Sequence, residues 1–87
     1  MYKLHIFPKA ERELKKISIR HQKAIVDAFE DLQENPFMGK PLTRELTGRF
    51  SYRIGVYRII YGVRKKDKIV EIYTAGHRAT VYKIPQP

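Results

Sequence analysis

The side chains best equipped for chemistry fall late in this 87-residue sequence. Arg53 and Arg58 lie on either side of Gly55, Gly76-His77-Arg78 follows the last apolar run, and Tyr82 comes four residues after Arg78. Arginine forks grip phosphate oxygens in bidentate fashion and stabilise the charge that builds on a pentavalent phosphorus. Histidine or tyrosine can exchange the protons, and tyrosine can also stack on a base. In RNA the 2′-hydroxyl is a built-in nucleophile, so this set suits the cutting of a phosphodiester with no activated water.

Metal and cofactor chemistry are not expected. Metal-dependent nucleases hold their ions with clustered carboxylates, yet from residue 46 onward only Asp67 and Glu71 are acidic. His5, His21 and His77 fall on three separate elements, without the short spacings of a zinc site. The five glycines are scattered and form no phosphate loop. With no cysteine there is no disulfide, thiolate zinc site or cysteine nucleophile.

Each candidate also has a plain structural reading. Arg58 is either a phosphate ligand or a solvated strand residue that meets Glu71, and His77 is either a proton carrier or turn surface. Tyr57, Tyr61 and Tyr73 alternate into a sheet face, where tyrosine is more often core than platform. Lys65, Lys66 and Lys68 suit a solvated turn, although they could also touch phosphate. His5 and His21 read as surface or satisfied structure.

The elements that must position these groups follow from periodicity. Tyr2, Leu4 and Ile6 alternate with Lys3, His5 and Phe7, which suits a first strand. Pro8 opens a helix whose stripe is Ala10, Leu14 and Ile17. Ser18 caps a second helix over residues 19–34, with Ile25, Ala28, Phe29 and Leu32 as its buried stripe and Asn35-Pro36 as its stop. Residues 36–45 read as loop. The period then becomes two: Phe50, Tyr52, Ile54 and afterwards Tyr57, Ile59, Tyr61, Val63 mark strands, residues 65–68 a polar hairpin turn, and 69–74 a last strand broken by Gly76. The expected fold is a single α+β domain over 1–87, in the order β-α-α-β-β-β. It has an antiparallel sheet with an N-terminal helical hairpin on one face. Antiparallel pairing would bring Arg58 beside the strand end that carries His77 and Arg78.

Composition sets the setting. Hydrophobic residues make up 43% and aromatics 11%, enough for one packed core. No apolar run nears the ~20 residues that span a bilayer, and no signal-peptide h-region stands near the N-terminus, so a cytoplasmic protein without a membrane partner is expected. The net charge is +9. Residues 1–45 carry nine basic and seven acidic residues, whereas 46–87 carry nine basic and two acidic. So one-sided a field points to a polyanionic partner.

The stretch Gly48 to Tyr61, G-R-F-S-Y-R-I-G-V-Y-R-I-I-Y, followed by Gly76-His77-Arg78 and Val81-Tyr82, resembles the RelE/ParE superfamily of toxin–antitoxin toxins. Gly39-Lys40-Pro41-Leu42 and the strand–helix–helix start fit as well, so the resemblance spans essentially the whole chain. It implies the same β-α-α-β-β-β fold and, on the RelE side, cleavage of mRNA in the ribosomal A site. There the 2′-OH attacks the adjacent phosphate, with no metal or cofactor. By this resemblance Arg58 matches the strand arginine on the scissile phosphate and Arg78 the second phosphate-binding arginine. Tyr82 matches the late tyrosine that orients or deprotonates the 2′-OH, and Arg53 a further basic side chain at the transition state. Where the family pattern has two lysines, this chain has Ser51 and Arg53. Arginine does not readily release a proton, so His77, with an ordinary pKa near 6.5, is the expected general acid. Lys40, Arg44, Arg49, Tyr61, Lys65 and Lys66 are the expected RNA contacts. The implied partners are ribosome, mRNA and a cognate antitoxin whose acidic segment covers the basic face. The alternatives are a ParE-like inhibitor of DNA gyrase and a catalytically degenerate RNA-binding relative.

Overall fold

The computed structural model describes residues 1–77. Strand β1 (Lys3–Ile6) leads into α1 (Pro8–Lys15) and α2 (Ile19–Glu34). A two-residue strand β2 (Lys40–Pro41) and a 3-10 turn (Arg44–Leu46) precede β3 (Arg49–Ile54), β4 (Tyr57–Arg64) and β5 (Ile69–His77). The five strands form one sheet in the order β1-β5-β4-β3-β2. The order of elements is as expected, with three differences. Lys40 and Pro41, read as loop, pair with Ser51 and Phe50. β1 pairs parallel to β5, Leu4 beside Val70 and Ile6 beside Ile72, so the sheet is mixed rather than wholly antiparallel. Gly76 does not break the last strand, because it lies in register with Arg58.

The helices form where the apolar spacing puts them. Pro8 stands in the first turn of α1, where its missing N–H costs nothing. Ile25, Ala28, Phe29 and Leu32 of α2 are buried against Ile59 and Tyr61 of β4 and Val70, Ile72 and Ala75 of β5. A buried aliphatic or aromatic side chain of this kind contributes about 1.5–3 kcal/mol. Ser18 stands at the N-terminus of α2 without a side-chain cap bond to the backbone. Its hydroxyl instead meets His21 Nδ1 at 2.8 Å. Gln22 Nε2 donates to the carbonyls of Leu14 (2.8 Å) and Ile17 (2.7 Å), satisfying backbone acceptors past the end of α1 and tying the helices together.

Beyond β1, α1 takes over against β5. Glu13 Oε1 accepts from Thr74 Oγ1 at 2.6 Å and from the Ala75 backbone N–H at 3.2 Å. This contact sits at a β-bulge: Tyr61 pairs with Ile72 but Ile60 with Thr74, leaving Tyr73 as the extra residue. The bulge reverses the alternation of β5, so that Ala75 rather than Thr74 enters the core.

Candidate functional site

Both helices pack on the face of the sheet that carries Tyr57, Ile59, Tyr61 and Val63. The alternate positions form the other face, where Lys3, Lys40, Arg49, Arg53, Arg58 and Arg64 share the strands with Glu71 as the one acid among the described residues. The charge asymmetry of the sequence is thereby concentrated on one side of the sheet.

At the β3–β4 end of that face Arg53 and Arg58 are direct cross-strand partners. The turn between them has only Gly55 and Val56 at its centre, and Gly55 adopts φ 58°, which a primed two-residue hairpin requires and glycine adopts without strain. Arg53 Nε donates to Gly55 O at 3.2 Å, so the turn itself steadies the arginine. Arg53 is exposed and Arg58 half-buried, its Nε withdrawn from solvent. Cross-strand Cβ atoms lie about 4.5–5.5 Å apart, and like charges placed so are destabilising. An anion bound between the two guanidinium groups relieves that repulsion and accepts from both forks.

Of the other expected site residues, Lys40 and Arg49 share this face, Lys40 in register with Ser51 and Arg49 with Gly62. Two placements differ from expectation in the face or depth they take. His77 pairs with Tyr57, on the helix side, with its ring 6.2 Å from that of Tyr57, which in turn lies 5.2 Å from His21. The bulge at Tyr73 is the reason: it turns His77 to the face away from Arg53 and Arg58. Tyr61 is fully buried, so it is not an RNA contact. Its hydroxyl donates to Pro36 O (2.8 Å) and accepts from Gly39 N (3.1 Å), and burial pushes its pKa up to about 12. Tyr61 thus moors the loop leading into β2. A Cβ on Gly39 would fall 3.0 Å from Ser51 O and closer still to the Tyr61 hydroxyl, which explains the glycine.

Lys65 and Lys66 are exposed in the β4–β5 turn, at the opposite end of β4 from Arg58, roughly 20 Å away at about 3.3 Å per residue. The Lys65 ammonium lies 5.3 Å from the centroid of the Phe37 ring. Arg44 is exposed in the 3-10 turn at φ 57°, where its carbonyl accepts from Thr47. The structure brings none of these three to the arginine pair. Arg78 and Tyr82 lie outside the described residues. Among the described residues no group of His, Asp and Glu could hold a metal ion, and no helix is long and apolar enough to cross a membrane.

A family model described as the ParE toxin of the type II toxin–antitoxin system parDE matches residues 4–82. The chain belongs to the RelE/ParE superfamily of type II toxins. It is 40% identical to Toxin RelG of Mycobacterium tuberculosis over 84 residues, covering 94% of this chain and 97% of that one. It is 33% identical to Toxin RelE of the same organism over 85 residues, covering 95% and 88%. The toxin–antitoxin complex RelBE2 of M. tuberculosis superposes with a TM-score of 0.82 at 40% identity, over 88% of this chain and 98% of that one. The isolated E. coli RelE toxin, at 20% identity and a TM-score of 0.77 over 95% and 93%, shares the fold.

The sequence reading of this RelE/ParE toxin gave Tyr73 to the core and passed over Phe7, yet both lie on the face away from the helices. Phe7 and Tyr73 meet there edge to face at 5.0 Å, and Arg49 lies 4.5 Å from the centre of the Tyr73 ring. The signal for Phe7 was its alternation with Lys3 and His5. For Tyr73 it was the alternation with the apolar Val70 and Ile72, which puts it on the side of Glu71.

Proposed function

We propose that this toxin is a metal-independent endoribonuclease that cuts mRNA in the ribosomal A site and is held inactive by a cognate antitoxin. The observation that carries this reading is the arginine pair: Arg53 directly opposite Arg58 on the basic face away from the helices, where two guanidinium forks can grip one phosphate. Similarity to Toxin RelG and Toxin RelE supports the same reading. The 2′-oxygen attacks the adjacent phosphorus, its proton passing to a base, for which the family resemblance offers Tyr82. The bond from phosphorus to the 5′-oxygen breaks, leaving a 2′,3′-cyclic phosphate and a 5′-hydroxyl. Arg58 binds the non-bridging oxygens and Arg53 meets the charge that grows on them; Arg78 is the second phosphate ligand by resemblance. With His77 on the far face, the proton for the leaving oxygen comes from water rather than from imidazole. The reaction takes place in the cytoplasm, where ribosome and message meet. Similarity to the RelBE2 complex supports an antitoxin partner, and the open basic face suits an acidic antitoxin segment.

The test is primer extension on a defined mRNA in a purified translation system, with and without ribosomes. Ribosome-dependent cuts that survive His77→Ala and vanish with Arg58→Ala are expected. The match to a ParE model favours a second reading, inhibition of DNA gyrase. Intact message under every condition, with gyrase-linked DNA breaks that persist in Arg58→Ala, would establish that reading instead.

A further inference from the structure

The rings on the face away from the helices form a continuous ridge. His5 meets Phe7 at 4.9 Å and 81°, Phe7 meets Tyr73 at 5.0 Å and 77°, and the Arg49 guanidinium lies 4.5 Å from the Tyr73 centroid. The ridge thus crosses the sheet from β1 over β5 to β3. Tyr73 is the extra residue of the bulge, and its ring lies across Gly62: a Cβ there would fall 2.7 Å from its hydroxyl and 3.0 Å from a ring carbon. The hydroxyl donates to Glu71 at 2.9 Å, and burial together with that bond raises its pKa, so the ring stays neutral. His5 is exposed, and Phe7, Tyr73 and Arg49 are half-buried, on the side of the sheet away from both helices. A packing role alone leaves unexplained why aromatic rings and a guanidinium plane are set among cations on this face.

We propose that Phe7, Tyr73 and Arg49 form a stacking platform for unpaired bases of the RNA whose scissile phosphate lies at Arg53 and Arg58. This rests on the nuclease reading and adds a binding site to it. Unpaired bases stack on aromatic faces and on guanidinium planes, and surrounding cations track the backbone. Arg49 and Arg53 are four residues apart on β3, roughly 13 Å at about 3.3 Å per residue, so one strand of RNA reaches both. The charge of this face, with Glu71 as its one acid among the described strand residues, favours a polyanion as occupant.

The experiment titrates the full chain with a short single-stranded RNA made uncleavable by a 2′-deoxy sugar at the cut. 2-Aminopurine is placed at each position in turn, and a matched series carries an abasic site there. One position should show stacking quench on binding, and an abasic site at that position should weaken wild-type binding about tenfold. Tyr73→Leu and Phe7→Leu should each lose the quench and bind about tenfold more weakly, with no further loss on the abasic RNA. Tyr73→Phe should bind as wild type does. Wild-type binding that ignores the abasic site, or no RNA binding at all, overturns the platform, and this arm needs no variant to fold. Base-dependent binding without ribosomal cleavage would sink the nuclease and keep the platform. Cleavage with base-blind binding would do the reverse.

Discussion

On the helix side of β4, Tyr57, Ile59, Tyr61 and Val63 pack into or against the core; on the other side, Arg58 and Arg64 stand at the ends with the buried Ile60 and Gly62 between them. One side is shaped by what it excludes from water. The buried Tyr61 hydroxyl has a backbone acceptor in Pro36 and a backbone donor in Gly39. The other side sets two arginines face to face at one end of the strand. Adjacent residues therefore answer to different demands, stability on one face and, on the proposed reading, recognition of an anion on the other.

The largest effects should separate the two faces cleanly. Arg58→Ala is expected to lower ribosome-dependent cleavage by about 10²–10³-fold, the usual effect of removing one transition-state donor. Its melting temperature should stay within a few degrees of wild type. Tyr61→Ala, three residues on, should do the opposite. It opens a cavity costing about 3–5 kcal/mol, at about 4–8 °C per kcal/mol for a domain of this size. The fraction that remains folded should still cut. Thermal melts and primer extension on both variants check this, and a Tyr61→Ala protein that stays stable would break the comparison.

A subtler change sharpens the helix side. Tyr61→Phe keeps the ring but leaves Pro36 O and Gly39 N without their partner, which costs about 1–3 kcal/mol near neutral pH. The pKa of Tyr61 is raised in the fold, from 10.0 to about 12, so its contribution is fully present below pH 10 and is lost as the pH rises toward 12. Wild-type stability should fall by roughly 2–3 kcal/mol more than that of Tyr61→Phe over this interval. Denaturant melts at pH 9 and above would show the two curves converging.

What the sequence revealed and what it hid divide along the same lines. Pro8, the 19–34 helix and the alternation of 57–63 were legible, because each is a local pattern whose period the structure keeps. The parallel partner of β1 was not, since four alternating residues say which face is apolar and nothing about the neighbour. Lys40 and Pro41 are too few to show any period. The placement of His77 is the most instructive. A last strand read as broken by Gly76 assigns His77 no face, and one extra residue at Tyr73 reverses every facing beyond it. Glu13, which receives the Thr74 hydroxyl and the Ala75 N–H, holds that bulge from 61 residues away in sequence. Glu13→Ala should cost about 1–3 kcal/mol and speed amide exchange at Ala75, whereas Glu13→Gln, which retains an acceptor oxygen, should recover most of the loss. Unchanged exchange at Ala75 in Glu13→Ala would show that the bulge stands without it.

The smallest effect tests whether charge alone defines the open face. Arg64 shares that face with Arg58 and sits at the other end of the same strand, but its surroundings differ. Its guanidinium lies 3.0 Å from Asp67 and 3.9 Å from Glu71, whereas the cross-strand neighbour of Arg58 on β3 is Arg53. A cation already neutralised by two carboxylates has little field left for a phosphate, and releases few counterions when RNA binds. Its ion pair with Asp67 is half-exposed on both sides, so it is worth at most about 0.5 kcal/mol. Arg64→Ala is therefore expected to leave the melting temperature and the cleavage rate nearly unchanged, and the salt dependence of RNA binding the same. Arg53→Ala should reduce the slope of log affinity against log salt by about one. If Arg64→Ala reduced the slope equally, the face would be a uniform basic surface, and the arginine pair would lose its claim to be the site.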